Sequence, residues 1–143
     1  QQHINAKDAV LIDARPAAFY QGETRAPAAK VAGTLPGAVN VQHDKWFAPG
    51  SSVFVGATQA RQVAVASAID QAKETVSFCN TGHWAATNWF AMSEVLGQSK
   101  VKLYPGSMAE WSQDPAGLPV ANAPSRAQQL MMDAKIWTAK PLN

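Results

Sequence analysis

The sequence predicts an α/β domain built on a central, mainly parallel sheet flanked by helices, and three observations carry that expectation. Short apolar runs alternate along the chain with stretches of helical periodicity, the order required by parallel strands joined through right-handed helical crossovers. The first run, Val10-Leu11-Ile12-Asp13, is apolar at successive rather than alternate positions, which suits a strand buried on both faces. The lone cysteine, Cys79, stands where another such run stops and a helical pattern begins. Ligands of open parallel sheets bind beyond the carboxyl ends of the strands.

The elements follow in order. Val10 to Asp13 is the first strand, and Pro16 opens a short helix through Ala18, Phe19 and Tyr20, since its fixed φ suits a first helical turn. Gly22 to Gly33 reads as a long loop, and Leu35-Pro36-Gly37-Ala38 as a turn feeding a second strand, Ala38 to Val41. A helix is expected from Thr58 to Glu74, where Val65, Ala68, Ile69 and Ala72 fall at i, i+3, i+4 and i+7. Thr75 to Cys79 is the third strand. The helix after it, Trp84 to Leu96, aligns Ala85, Trp89, Met92 and Leu96 on one stripe, and Gly97 is its stop. Val101 to Tyr104 is the fourth strand, followed by Pro105-Gly106 and a short helical piece through Met108 and Trp111.

Residues 1–120 are thus expected to form one catalytic domain, with 121–143 as a C-terminal extension. In that extension Pro124-Ser125 caps a short helix carrying Leu130, Met131, Ala134 and Trp137, and Pro141 ends regular structure. Packing of this helix on the domain's own surface is the favoured expectation; a linker or docking helix for a second domain or protein is the alternative.

Composition excludes several function classes. A chain of 143 residues with 47% hydrophobic and 15% charged residues is globular in composition, and a domain of this size buries roughly 70% of its unfolded surface. The net charge of +2, with scattered basic residues, gives no nucleic-acid footprint. No apolar stretch approaches the roughly 18 residues of a membrane helix; the longest, Val63 to Ile69, is broken by Ser67. One cysteine permits no internal disulfide, and no Cys/His spacing suits a metal. The chain begins at Gln1 rather than methionine, which leads to the expectation of a processed form or an excised domain, in a periplasmic or secreted setting.

Cys79 ends the apolar run and opens the polar turn Asn80-Thr81-Gly82-His83. A thiol between a strand's end and a helix's start meets backbone N–H groups and the positive end of the helix dipole, and both favour the nucleophilic thiolate. Gly82 lets successive N–H groups converge into a nest that holds an anion. A small buried hydrophobe is the alternative fate of a free cysteine. His83 is either a further donor or a solvent-facing loop residue.

Four segments in order carry a family resemblance: Leu11-Ile12-Asp13-Ala14-Arg15, Ala32 to Asn40, Cys79-Asn80-Thr81-Gly82-His83, and Leu103-Tyr104-Pro105-Gly106-Ser107-Met108-Ala109-Glu110-Trp111. Together they look like the signatures of a rhodanese domain, spanning about Ala9 to Pro119. The resemblance implies a rhodanese-like α/β fold and a thiosulfate sulfurtransferase-like activity. In that reaction the Cys79 thiolate takes the outer sulfur of a small-molecule donor such as thiosulfate as a persulfide, and a thiol or cyanide acceptor removes it. It implies further that Asn80, Thr81, Gly82, His83 and Trp84 cradle the persulfide, with no cofactor. Arg15 matches an arginine that contributes to anion binding in two-domain members; a salt bridge anchoring its loop is the equal alternative. Asp13, Asn40 and Gly37 read as structural. Trp84 and Trp111 either wall the pocket or belong to the core, and Lys45 and Arg61 are candidates for charge near its mouth. The turn lacks the basic residues that thiosulfate-preferring members carry directly after the cysteine. The Gly22–Ala32 insertion is similar to the second domain of tandem sulfurtransferases, so a second rhodanese domain is a possible partner.

Two other functions compete. A phosphatase of related fold needs an arginine in a longer loop to grip the phosphoryl oxygens bidentately, and neither Trp84, Ala85 nor Ala86 supplies one. A persulfide carrier or binding module would hold sulfur at Cys79 and pass it to a protein acceptor with little free turnover. A degenerate, non-catalytic fold is weakened because the nucleophile is present.

Overall fold

The computed structural model describes residues 2–70, 72 and 74–138 of the chain. Strands β1 (Val10–Asp13), β2 (Val39–Asn40), β3 (Thr75–Phe78) and β4 (Val101–Leu103) form a fully parallel sheet in the order β2-β1-β3-β4. Val10 pairs with Thr75 and Asp13 with Phe78, while Asp13 also meets Asn40 across the β1–β2 pair. This register brings Asp13, Asn40 and Phe78 to one edge, so the segment from Cys79 onward leaves the sheet beside the end of β1.

Side-chain alternation divides the core. Ile12 faces one layer with Val41, Trp46, Ala60, Ala64, Ile69 and Met92, whereas Leu11 faces the other with Leu35, Phe78, Met108 and Trp111. Helices α3 (Ala57–Ala66) and α4 (His83–Phe90) cover the Ile12 side, and α5 (Ser107–Trp111) covers the Leu11 side. Two short helices complete the body of the fold: α1 (Gln2–Ala6), which the sequence did not signal, and α2 (Ala17–Tyr20) after Pro16.

The strands and the long loop fall where expected, but two helices differ. The helix expected to reach Glu74 stops at Ala66, and Val65 is exposed rather than on a core stripe. The Ala68 N–H bonds to the Val65 carbonyl and the Ile69 N–H to the Ala64 carbonyl, the paired bonds of a Schellman stop. Ala68 holds the left-handed position at φ 54, and Ile69 turns back into the core, fully buried. No glycine marks this stop, so the periodicity ran on past it. The helix after Cys79 is regular only to Phe90. It then widens into a π turn, Ala91–Val95, in which the Leu96 N–H bonds to the Ala91 carbonyl. The widened turn keeps Ala91 and Met92 in the core, and Gly97 follows at φ 69. On this helix Asn88 is fully buried, accepting from the Trp46 indole and donating to the Val41 carbonyl, both at 2.8 Å.

The last helix, α6 (Arg126–Thr138), begins with a capping box in which Ser125 and Gln128 bond each other reciprocally. Among its described contacts are hydrogen bonds to the body of the fold. Asp133 accepts from Arg25 at 2.7 Å, and the Gln129 side chain accepts from the Ala32 N–H. Leu130, Met131 and Trp137 are exposed, and Pro141 lies outside the described residues.

Two measurements follow from these features. Relieving the left-handed strain at Ala68, roughly 1–2 kcal/mol, outweighs the added chain entropy of glycine, about 0.4–1 kcal/mol. Ala68→Gly is therefore expected to raise stability by about 0.5–1 kcal/mol in a urea titration; a loss would refute the stop as described. Asp133 is held below its ordinary 3.8, first by the Arg25 hydrogen bond and then by Gln129. The α6 contact thus contributes stability above that ordinary value and loses it as pH falls through the lowered one. A carbon-13 titration of the Asp133 carboxyl should show a midpoint below 3.8, moving up towards it in Arg25→Ala.

Candidate active site

The segment after β3 is held on both sides by the start of α5. The Cys79 N–H donates to the Ser107 hydroxyl at 3.0 Å, and that hydroxyl donates to the Tyr104 carbonyl at 2.9 Å. The Cys79 and Asn80 carbonyls accept from the Met108 and Ala109 N–H groups at 3.1 and 3.0 Å. Between these anchors the chain turns through Gly82 at φ 94, and the Gly82 N–H points at the thiol, 3.0 Å from Sγ. A side chain cannot replace this glycine cheaply: a Cβ would lie 3.0 Å from the Pro105 carbonyl oxygen, on a backbone angle that other residues avoid. The Gly82 carbonyl then accepts from Ala86, and α4 begins.

Cys79 is 1% exposed, in a small cluster with Ala14 and Ala85 against which Trp84 packs. Trp84 is one layer of an aromatic stack along the sheet's carboxyl edge. The His43 ring lies on it at 4.7 Å and nearly parallel, and Phe19 meets it edge-on at 6.1 Å. The Arg15 guanidinium sits over the Phe19 ring, 5.7 Å from its centre.

The residues singled out in the sequence are brought together unequally. Asn80 and Gly82 are buried in the turn, Trp84 is half-buried beside the thiol, and Thr81 and His83 are exposed and bonded to each other at 3.3 Å. Arg15 is 1% exposed, and Nε, Nη1 and Nη2 all donate within the protein. Nε and Nη2 bind the two Asp13 carboxylate oxygens, Nη2 also reaches the Gly33 carbonyl, and Nη1 donates to the Asn80 side-chain oxygen at 3.3 Å. Of its two expected roles, the structure displays the salt bridge; Arg15 meets the turn through Asn80. Trp111 belongs to the Leu11-side core, its indole bonded to the Pro119 carbonyl. Lys45 lines a groove against α3, and Arg61 a separate groove with Asp70 and Gln98; neither groove includes Cys79.

Three residues near the thiol escaped the sequence reading: Ser107, His43 and Phe19. Ser107 is fully buried at φ 53, a strained position of the kind that clusters at functional sites. In the sequence it stood within the Leu103–Trp111 signature without being singled out for the site. His43 and Phe19 carry no spacing signal, because the long-range approach of their segments to α4 creates the stack.

Comparison with known proteins identifies the family and the fold. The family model described as Rhodanese-like domain matches residues 1–114. A protein of Saccharopolyspora erythraea named "Putative thiosulfate sulfurtransferase" is 32% identical over 118 residues, covering 78% of this chain and 41% of that protein. The "Sulfur carrier protein TtuD" of Thermus thermophilus is 32% identical over 117 residues, covering 78% and 40%. In three dimensions the chain superposes on the Tum1 protein of Saccharomyces cerevisiae with a TM-score of 0.69 at 22% identity, covering 86% of this chain and 44% of that one, a likeness of fold. The chain spans about two fifths of the length of the curated relatives it matches.

Ser107→Ala would leave the Cys79 N–H buried without its acceptor, at a cost of about 1–3 kcal/mol. Chemical denaturation should show that loss. Unchanged stability would mean that the hydroxyl does not anchor the turn.

Proposed function

We propose that this chain, which belongs to the rhodanese-like domain family, is a sulfurtransferase that moves sulfane sulfur through a persulfide on Cys79. The observation that carries the reading is the Gly82 N–H aimed at Sγ from 3.0 Å, in a turn clamped by α5. A donor fixed in that geometry stabilises sulfur's negative charge both in the resting nucleophile and when Cys79 leaves.

In the first step the Cys79 thiolate attacks the outer sulfur of thiosulfate. A Cys79–sulfur bond forms, the donor's S–S bond breaks, and sulfite departs with the electron pair. In the second step a thiolate or cyanide attacks the outer sulfur of the persulfide, and Cys79 is released as thiolate. Asn80, Thr81, His83 and Trp84 complete the cradle around Gly82. Arg15 serves as a positioning residue: locked onto Asp13, it holds the Asn80 side chain. Because Arg15 is buried and its charge is paired with Asp13, the charge of a dianionic donor falls to the backbone amides of the turn.

One observation favours a second reading, a persulfide carrier that hands sulfur to a protein acceptor or a second rhodanese domain. Cys79 is 1% exposed, which limits free exchange with small molecules, and one of the relatives is named a sulfur carrier.

Intact mass after mixing reduced protein with thiosulfate tests the persulfide directly. Wild type should gain one sulfur atom, lose it on addition of cyanide, and Cys79→Ser should gain none. Rapid multiple turnover with thiosulfate and cyanide would favour the enzyme; a stable persulfide with slow release would favour the carrier. No gain of sulfur from any sulfane donor would remove both readings.

A further inference from the structure

The Cys79 sulfur reacts only when another molecule touches it, yet the residue is 1% exposed. Its apolar cluster holds Ala14, Ala85 and Trp84. The two alanines are fully buried and have no side-chain rotation that could uncover the sulfur. Their backbones are fixed as well: the Ala14 N–H bonds to the Phe78 carbonyl, and the Ala85 carbonyl accepts from the Ser77 hydroxyl. Trp84 differs from both. It is half-buried, so it stands between the cluster and solvent, and its ring turns about two side-chain bonds. Its attachment also differs from that of the other inward-facing tryptophans. The Trp46, Trp89 and Trp111 indoles each donate to a protein acceptor, at 2.8, 3.2 and 2.9 Å. Among the described residues no acceptor takes the Trp84 indole N–H, and that atom is not buried. Outside the Cys79 cluster its ring is held by aromatic contacts, with His43 stacked on it at 4.7 Å and Phe19 edge-on at 6.1 Å. The seat itself is firm. His43 bonds the Ala14 carbonyl through its backbone N–H at 2.9 Å, and Phe19 lies under the Arg15 guanidinium.

We propose that Trp84 is the gate to Cys79: its indole swings out of the His43–Phe19 seat to uncover Sγ for a sulfur donor or acceptor, then returns. The inference rests on the Cys79 persulfide reading, which requires the sulfur to be reached once to load and once to unload. Opening gives up ring stacking and apolar contact, but it breaks no hydrogen bond of the indole and moves no strand. Two aromatic pairs of ordinary strength favour the seated ring by a factor of roughly 5–150. A bias of that size keeps the sulfur covered at rest and leaves a minor open population through which it reacts. The gate also selects by width. A terminal sulfur on a slender molecule needs only the space that the indole vacates, whereas a broad reagent meets the fixed residues around it.

Alkylation of Cys79 in the reduced protein, timed by intact mass, tests the gate with iodoacetamide and with the broader N-phenylmaleimide. His43→Ala and Phe19→Leu leave Trp84 in place and loosen its seat. Each should speed alkylation by iodoacetamide about 2–12-fold, the value of one ring pair; a fixed cover would not respond to either. Trp84→Ala should react about tenfold faster than wild type or more, with the larger gain for N-phenylmaleimide. Trp84→Phe, which keeps a ring against His43, should fall between. Every rate is measured without urea and again in urea below the unfolding transition. Three results each overturn the gate: Trp84→Ala no faster than wild type, His43→Ala and Phe19→Leu both no faster than wild type, or accelerations that grow with urea. Failure of wild type to gain sulfur from thiosulfate, with alkylation rates in the expected order, would instead overturn the persulfide reading and not the gate.

Discussion

Arg15 carries a permanent charge at a position 1% exposed, and the geometry of the carboxyl edge depends on how that charge is met. Asp13 binds it through both carboxylate oxygens, Thr34 donates to the same carboxylate at 2.7 Å, and the Gly33 carbonyl accepts from Nη2. Asn40 closes the arrangement from β2, donating to the Asp13 and Arg15 carbonyls. The cost of burying an ion pair is offset only when its remaining hydrogen-bonding groups are satisfied as well. Here partners come from two other segments, Gly33 and Thr34 before β2 and Asn80 in the Cys79 turn, while Asn40 ties β2 to the backbone of the pair, so β1, the loop before β2, β2 itself and the Cys79 turn meet around it. The Asn80 contact is the thread that leads from this network to the thiol.

A second constraint works from the opposite side. The start of α5 supplies an acceptor for the Cys79 N–H and donors for the next two carbonyls, which leaves the turn little freedom before Gly82. Burial of Ser107 in a left-handed conformation is part of this arrangement, and so is the close approach of Pro105 to Gly82. The thiol is therefore positioned by backbone on the α5 side and by the ion-pair network on the β1 side. Trp84 is held in turn by Phe19 and His43, so the apolar wall of the site is also set by segments remote in sequence.

The parallel sheet and the location of Cys79 were legible because the signals for both are local. Successive apolar residues in Val10–Ile12 and the β-branched and aromatic residues of Thr75–Phe78 announce strands, and Gly82 marks the turn. What escaped was either non-local or contrary to propensity. The end of α3 was hidden because alanine, not glycine, occupies the left-handed position at residue 68, and because Ile69 continued the helical spacing while pointing elsewhere. Asn88 carried no sequence signal, and it is buried where Trp46 and Val41, more than forty residues earlier, offer it partners. His43 and Ser107 gained their places from tertiary packing alone. The sequence left open whether α6 packs on its own domain or links to another, and its bonds to Arg25 and Ala32 through Asp133 and Gln129 carry no spacing signal.

The near-complete burial of Cys79 also bears on how this sulfur survives an oxidising medium. A thiolate oxidised to a sulfenic acid is normally rescued by a neighbouring thiol that closes a disulfide, before further oxidation makes the damage permanent. This chain has one cysteine, so no such rescue is available within it. Access is then the remaining defence: a sulfur screened by Trp84, Ala14 and Ala85 meets peroxide far less often than one on an open surface. The packing that slows the approach of substrates is, on this view, also the safeguard that keeps an unpartnered nucleophile reduced.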